Sequence, residues 1–287
     1  LGKATGKPTL VVFQPGNAAD GAREAVRDLD LLHYETSDEA LRVLQCWLVP
    51  RDAAPEAVRP EDLPGGDPFA GCPSGWLAEH ETKEVLARYG IRATRERPVH
   101  SAREAVMAAR EIGWPVALKG FGPDLIHKSD EGAVALSLRD EMALQTAWDL
   151  MARRLGTRLA GALVAEMAGG EAEAILGIQH DPQFGPVVLV GLGGVLAEVL
   201  DDIVLIPAPA SPERVKALLP RLRLWPLLAG VRGGPALDID ALADAAARLS
   251  WLAVDAGARL AELDINPLFL RRQGEGVIAV DARARLT

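Results

Sequence analysis

Hydrophobic and polar positions alternate near the end of the chain, in a pattern that predicts a β-strand. In residues 263–266 the two-residue period places Asp264 and Asn266 on one face and the apolar side chains on the other. Pro267 removes a donor from the hydrogen-bond ladder, so we expect the regular pairing to end there.

A second apolar strand, residues 276–280, follows a polar turn and predicts a hairpin that brings Asp281 close to Asn266. Two carboxylates and an amide oxygen on a rigid sheet suit Mg²⁺, which binds few protein oxygens together with substrate phosphates. A surface hairpin whose polar residues simply face water explains the pattern equally well.

The remaining periodicity predicts a mixed α/β protein. Helices are expected where apolar residues recur every three to four positions behind a capping residue, and strands where short apolar runs lie between turns. Ser37 and Ser101 are predicted N-caps, and Gly113 is predicted to end the helix that Ser101 begins. The predicted helices are 18–31, 37–47, 77–89, 101–113, 140–155 and 239–257, and the predicted strands are 9–13, 116–119, 134–138, 162–167, 172–178 and 187–190.

Three regions follow from this reading. Residues 1–50 form a small α/β piece, and residues 74–287 form the mixed α/β body. Between them, residues 51–73 are rich in proline and contain Gly65-Gly66, which predicts an extended, semi-rigid linker. Because the chain starts at Leu1 within a folded segment, we expect it to be a subunit or part of a longer protein.

Composition narrows the function classes. The net charge of −9 argues against nucleic acid or a membrane surface as the main partner. Residues 1–8 do not form a signal peptide, and no apolar run approaches the ~20 residues that cross a bilayer. Cys46 and Cys72 are too few for a disulfide framework and lack metal-ligand spacing, so a cytoplasmic setting is the simplest.

Two neighbouring features suggest phosphate chemistry. Lys119 ends a predicted strand beside Gly120 and Gly122, where a lysine is either a phosphate ligand or simply a strand terminus at the surface. His127 and Lys128 follow in a polar loop. Imidazole is a competent nucleophile toward phosphorus, although a lone loop histidine is more often solvated.

Further candidates lie at strand ends. Glu166 and Met167 precede Gly169-Gly170, and Glu173 lies in the next strand; they form either a nucleotide-binding edge or an ordinary hairpin. The glycine cluster 191–194, with Glu198 behind it, is either a phosphate-binding loop or a tight turn.

The order of these motifs is itself informative. From about Ser74 onward the chain resembles the ATP-grasp domain of ADP-forming acyl-CoA synthetases, relatives of the succinyl-CoA synthetase β subunit. Residues 1–50 resemble, more weakly, the tail of a preceding CoA-ligase domain. The matching motifs are 115–119, 125–134, 177–186, 191–195 with Glu198 and Asp202, and 263–268 with Asp281.

This resemblance implies a fold: two ATP-grasp subdomains around a nucleotide cleft, preceded by a small flavodoxin-like α/β piece. It also implies roles. Lys119, Lys128, Gly193, Gly194 and Glu198 would contact the nucleotide or its phosphates. Glu166 and Met167 would frame adenine, Glu173 would lie near the ribose or phosphates, and Asp264, Asn266 and Asp281 would hold Mg²⁺. His127 would be a phosphohistidine that carries a phosphoryl group between two sites.

The implied reaction is acid plus CoA plus ATP giving acyl-CoA, ADP and phosphate. CoA-binding and CoA-ligase domains would have to come from an upstream segment or a partner subunit, and an oligomer is expected. The alternative is a ligand-sensing, regulatory domain of a protein lysine acetyltransferase. An ATP-grasp carboxylate–amine ligase fits less well, because it needs no phosphoryl-carrying histidine.

One departure from the family pattern falls beside the proposed carrier loop. Ala133 stands where the family has the second of two glycines. If that position required a positive φ, an alanine would strain the loop by ~1 kcal/mol or more.

Overall fold

The computed structural model describes residues 10–13, 20–28, 32–48, 57–122, 132–193, 202–230 and 236–287. The chain divides into two compact units, Leu1–Ala54 and Pro55–Thr287. None of the helices in these described ranges has the length and hydropathy that a bilayer crossing requires.

The described residues of the first unit form two parallel strands and two helices: β1 (Val11–Val12), α1 (Asp20–Asp28), β2 (His33–Tyr34) and α2 (Ser37–Leu48). The predicted N-cap of α2, Ser37, is wrong by one residue. The Thr36 hydroxyl accepts from the Glu39 amide at 3.2 Å, and the Glu39 carboxylate accepts from the Thr36 amide at 3.3 Å. Thr36 is the cap because this reciprocal pair satisfies two amides that the helix leaves open.

The second unit alternates helices with antiparallel strands. Its elements are β3 (Gly75–Trp76), α3 (Glu79–Arg88), β4 (Glu96–Val99), α4 (Ala102–Ile112), β5 (Val116–Phe121), β6 (Val134–Leu138), α5 (Glu141–Leu155), β7 (Gly161–Glu166), β8 (Ala172–Asp181), β9 (Gly185–Leu192), β10 (Ile203–Pro207), α6 (Pro212–Leu218), α7 (Trp225–Leu228), α8 (Ile239–Ala256), β11 (Leu260–Leu270), β12 (Val277–Ala279) and β13 (Ala282–Leu286). The mixed α/β class of the body is therefore confirmed, and the predicted elements differ from the observed ones by a few residues at their boundaries. Strands β3, β4, β10 and β13 and helices α6 and α7 were not predicted.

Seven strands form the large sheet, in the order β10-β9-β8-β11-β13-β3 with β12 also paired to β11. Helix α8 packs on one face of this sheet. Its many alanines let the helix approach closely, so Leu242 and Leu249 are fully buried in the same core as Leu176 and Ile265. This helix leaves the opposite face, which carries Asp264, available for a ligand.

Four strands form the small sheet, in the order β4-β7-β5-β6. Helices α4 and α5 cover it and bury a second core that includes Leu118, Leu144 and Val164. The predicted caps of α4 are confirmed. The Ser101 hydroxyl accepts from the Glu104 amide at 3.2 Å, and Gly113 ends the helix at a φ of 98° that glycine tolerates.

The proline-rich segment differs from the sequence prediction. Residues 57–73 belong to the second unit rather than to an extended tether. Phe69 is fully buried in the large-sheet core, and Arg59 forms an ion pair of 2.6 Å with Asp255 of α8. The prolines prevent regular helix or strand, but they do not prevent apolar and charged side chains from packing against the body.

The predicted C-terminal hairpin is confirmed, with one correction at Pro267. Strand β12 pairs antiparallel with β11, and the Asn266 amide donates to the Asp281 carbonyl at 3.2 Å. Pro267 does not end the strand, because the register against β8 shifts between Ile265 and Leu268. This irregularity accommodates the missing donor, and pairing resumes through Leu270.

Candidate functional site

Lys119 lies at the junction of the two sheets. It was predicted to end a strand, but β5 continues to Phe121, so the lysine lies within the strand rather than at its surface end. The residue is buried, and its Nζ donates to Glu79 Oε1 at 2.5 Å and to the Val280 carbonyl at 3.3 Å. The side chain of a small-sheet residue thus reaches the backbone of the large sheet.

The charge of Lys119 is stabilised despite this burial. Desolvation acts to lower its pKa, but the carboxylates of Glu79, Asp281 and Glu96 together raise the pKa above its ordinary value. Lys119 is therefore a fixed cation over the whole physiological pH range.

The predicted oxygen ligands lie on β11 and on the segment that follows β12, beside the same junction. Asp264 and Asn266 lie on β11, and the backbone bond between Asn266 and Asp281 holds the segment that follows β12 beside them. Burial raises the pKa of Asp264; Arg283, 3.9 Å away, opposes this increase, whereas the charges of Asp281 and Glu262 add to it. The charge of Asp281 raises the pKa of both Lys119 and Asp264, so Asp281 is electrostatically coupled to each of them.

This donor set fits a magnesium ion that shares its shell with phosphates. Within the described part of the chain, no group of three His, Cys, Asp or Glu side chains could hold a metal by itself. Two carboxylates and one amide oxygen would supply part of a Mg²⁺ shell, which water and phosphate oxygens would complete.

A cavity of about 130 Å³ adjoins Lys119. Its lining is mostly apolar and includes the two residues predicted to frame adenine, Glu166 and Met167. The other lining residues are Thr94, Ala117, Lys119, Leu136, Ala165, Ala168, Phe269 and Val280. A mostly apolar cavity with a cation in its lining suits a nucleotide base whose phosphates lie near Lys119.

Glu166 is held at the cavity by Arg95. The Arg95 Nε donates to the Glu166 carboxylate at 3.1 Å, and the Glu166 amide donates to the Arg95 carbonyl at 2.8 Å. Burial acts to raise the pKa of Glu166, but the side-chain and backbone hydrogen bonds from Arg95 lower it below its ordinary value. Glu166 is therefore an ionised acceptor at neutral pH.

Glu173 and Gly193 lie together on the large sheet. The Gly193 amide donates to the Glu173 carbonyl at 2.7 Å, and a Cβ at Gly193 would come within 2.9 Å of the Glu173 Cβ. Glu173 is paired in register with Phe269, a cavity-lining residue, so the two side chains share one face of the sheet. Both predicted residues therefore border the cavity side of the sheet.

Four predicted site residues lie outside the described residues: His127, Lys128, Gly194 and Glu198. The described chain stops at Gly122, directly after the Lys119 strand, and resumes at Gly132 before β6. The possible strain at Ala133 does not arise, because the positive φ of 70° belongs to Gly132. Asp202, part of a matching motif, accepts from the Arg223 and Leu224 amides and so has a structural contact.

A buried charge cluster beside Lys119 was not predicted from the sequence. Lys83 donates to Glu79 Oε1 at 2.9 Å, to the Thr94 hydroxyl at 3.0 Å and to Glu96 Oε2 at 2.5 Å. Glu79 and Lys83 share a helical stripe with the buried Leu86, at spacings i, i+4 and i+7. This placement of charges on the apolar stripe is the signal that would have identified them.

Cavity-lining residues were missed as well. Phe269 and Leu136 look like ordinary strand positions, and their alternation does not reveal that two different sheets bring them to one cavity. Solvent exposure is only a weak indication of a binding surface. Leu136 is 60% exposed on β6, but single exposed apolar side chains are common.

Comparison with known proteins agrees with this geometry. Residues 71–286 match the ATP-grasp domain family. The chain is 36% identical over 212 residues to the β subunit of the ADP-forming acetate–CoA ligase II of Pyrococcus furiosus, covering 72% of this chain and 90% of that subunit. It is 35% identical over 266 residues to a trans-feruloyl-CoA synthase from an unknown prokaryotic organism, covering 90% of this chain but only 37% of that enzyme.

A solved structure is similar as well. It is acetyl-coenzyme A synthetase 1 of Candidatus Korarchaeum cryptofilum, in complex with coenzyme A and Mg-AMPPCP and with a phosphohistidine segment pointing towards the nucleotide-binding site. The sequences are 37% identical, the TM-score is 0.67, and the match covers 74% of this chain and 93% of that one.

Proposed function

Because the chain belongs to the ATP-grasp domain family of the ADP-forming acyl-CoA synthetases, we propose that it is the ATP-binding, phosphoryl-transferring part of such an enzyme. The complete reaction joins a carboxylic acid to CoA and converts ATP to ADP and phosphate. The observation that carries the proposal is the buried Lys119 ammonium, which contacts the Val280 carbonyl next to Asp281 and lines a mostly apolar cavity.

Different residues of the chain would contact the base, the ribose and the phosphates of the nucleotide. The base would occupy the cavity against Phe269 and Met167, with Glu166 at its edge. Glu173, paired in register with the cavity-lining Phe269, would accept from a ribose hydroxyl. Lys119 would neutralise phosphate charge, which is the main protein contribution to phosphoryl transfer apart from positioning.

Asp281, Asn266 and Asp264 would hold Mg²⁺ on the phosphate side of Lys119. When bound, the ion supplies further neutralisation of the phosphate oxygens. The raised pKa of Asp264 supports this role, because a bound cation would add to the positive charge of Arg283 and favour the ionised carboxylate.

His127 would receive the phosphoryl group. An imidazole nitrogen forms a bond to the γ-phosphorus as the bond between that phosphorus and ADP breaks, and the phosphoryl group later passes to the acid. The resulting acyl phosphate is attacked by the CoA thiol, which releases phosphate. The support is the position of the loop in the sequence, directly after the Lys119 strand, and the phosphohistidine segment of the similar Korarchaeum enzyme.

The remaining steps need groups outside this chain's ATP-grasp domain. The chain spans 90% of a relative that is named as a β subunit, and about a third of a longer synthase. We therefore propose that CoA-binding and CoA-ligase domains, supplied by a partner subunit or by further chain, complete the enzyme and bring the acid and CoA. The relatives described above give no support to the alternative, a sensing domain of a protein lysine acetyltransferase.

Calorimetry with Mg·AMPPCP, a non-hydrolysable ATP analogue, tests the proposal. Lys119→Ala is expected to weaken binding by about tenfold to a hundredfold, because it removes the buried cation facing the phosphates. Lys216→Ala is the matched control, since that lysine forms an exposed pair with Asp240. Equal affinity of wild type and Lys119→Ala would remove Lys119 from the site and overturn the proposal.

A further inference from the structure

Four buried charges lie where helix α3 meets both sheets. Helix α3 packs against β13 of the large sheet and β4 of the small sheet. It supplies Glu79 and Lys83, β4 supplies Glu96, and β5 supplies Lys119. The side chains of Glu79, Lys83 and Glu96 are each only 4% exposed, so this cluster is shielded from water.

Glu79 is the centre of the cluster. A single oxygen, Oε1, accepts from Lys83 Nζ at 2.9 Å and from Lys119 Nζ at 2.5 Å. Two carboxylates face two ammonium groups, so their charges balance. Such balance matters because an unpaired buried ion carries a large desolvation penalty, which only a well-connected network offsets.

Nucleotide binding would disturb this balance. A phosphate group would compete with Glu79 for the Lys119 ammonium. If the buried Glu79 carboxylate then had no other cation beside it, it would attract Lys119 away from the phosphate. Lys83 would prevent that situation, because its own hydrogen bonds to Glu79 and to the Thr94 hydroxyl do not involve Lys119. Thr94 is in turn anchored to the large sheet, through its amide and the Ala279 carbonyl at 2.9 Å.

We propose that Glu79 is a positioning residue that aims the Lys119 ammonium at the phosphates, and that Lys83 is the buried counter-ion that keeps Glu79 charged. This inference rests on the proposed function of Lys119. Glu79 would touch neither nucleotide nor metal, and would act entirely through the lysine.

A double-mutant cycle separates positioning from a general structural role. The affinity for Mg·AMPPCP is measured by calorimetry in wild type, Glu79→Gln, Lys119→Ala and the double variant. Glu79→Gln keeps the side-chain shape and removes the charge, and it is expected to weaken binding about tenfold, the range for a lost charged hydrogen bond. In the Lys119→Ala background the same change is expected to have no further effect.

A second readout follows the ammonium group itself. The rate at which an amine-reactive reagent labels Lys119 is measured by mass spectrometry as a function of pH. Loss of the Glu79 charge is expected to shift this profile to lower pH, whereas a purely structural contact would leave it in place. Asp240→Asn, which removes an exposed carboxylate paired with Lys216, is the control for a general loss of negative charge.

Folding of each variant is checked by thermal unfolding. If Glu79→Gln does not fold, Glu79→Asp takes its place in the cycle; it keeps the charge but withdraws the carboxylate by one carbon, and is expected to weaken binding several-fold only when Lys119 is present. Equal weakening in both backgrounds would overturn the positioning role and leave the proposed function intact. If Lys119→Ala itself binds like wild type, the proposed function fails instead.

Discussion

The small sheet and the large sheet contribute opposite charges to the candidate site, and they hold those charges differently. Lys119 of the small sheet is buried and fixed by Glu79. Asp264 of the large sheet has a side chain that is 40% exposed and lies 3.9 Å from Arg283. The Lys119 ammonium is therefore already positioned before ligand binds, whereas the Asp264 carboxylate remains accessible to an incoming metal.

This contrast suggests that the small sheet supplies a positioned cation for the phosphates and the large sheet supplies an accessible metal site. A preset cation loses little conformational entropy when phosphates arrive, because its ordering was completed on folding. An accessible acid pair can exchange water for a metal together with the nucleotide. If this division is correct, damage to the two sheets should produce different defects.

The largest effect is expected from the acid side. Asp281→Ala should reduce the turnover of the complete enzyme by at least about a hundredfold, because it removes an expected metal ligand and the charge that faces Lys119. Nucleotide binding measured with EDTA present should change little. ADP formation with acid and CoA gives the turnover, and calorimetry gives the binding.

Glu171→Gln is the control for that variant, because this carboxylate pairs with Arg272 on the surface at 3.0 Å. Full turnover in Asp281→Ala would place the metal elsewhere and would remove the contrast between the two sheets.

A smaller effect is expected at the cavity that the two sheets share. Phe269→Ala should weaken ATP binding by about three- to tenfold, because a base loses its aromatic contact. Binding of inorganic triphosphate should be unaffected, since the phosphates lie toward Lys119. Calorimetry with both ligands measures the difference, and Phe184→Ala, 71% exposed on the β8–β9 turn, is the control. A matching loss for triphosphate would show that Phe269 does not contact the base.

The smallest effect concerns stability. Burial raises the pKa of Glu96 above its ordinary value of 4.5, although Lys83 opposes this, and its Oε1 has no hydrogen-bond partner among the described residues. The folded protein therefore holds the Glu96 proton more tightly than the unfolded chain. The stability that this provides is complete below pH 4.5 and is lost as the pH rises through the folded-state pKa.

Glu96→Gln mimics the protonated acid and should therefore reduce this pH dependence. Urea unfolding at about pH 5 and about pH 8 should show a smaller decrease in unfolding free energy for the variant than for wild type. Glu111→Gln, at an exposed carboxylate, is the control. Identical pH dependence in wild type and Glu96→Gln would mean that ionisation of the buried Glu96 does not lower the unfolding free energy.

Local sequence determined most of the secondary structure. The strand 134–138 and the long helix beginning at Ile239 were predicted at their observed positions, because short-range periodicity and caps control them. The hairpin that joins Asn266 to Asp281 was also predictable, since it depends on neighbours in the chain.

Long-range packing decided the rest. No local pattern indicates that Phe69 and Arg59 in a proline-rich segment bind the body, because their partners lie far along the chain. The same reason explains why Glu79 was missed, although Lys119 was identified. The meeting of α3, the small sheet and the large sheet creates that charge cluster, and only the tertiary structure brings those three together.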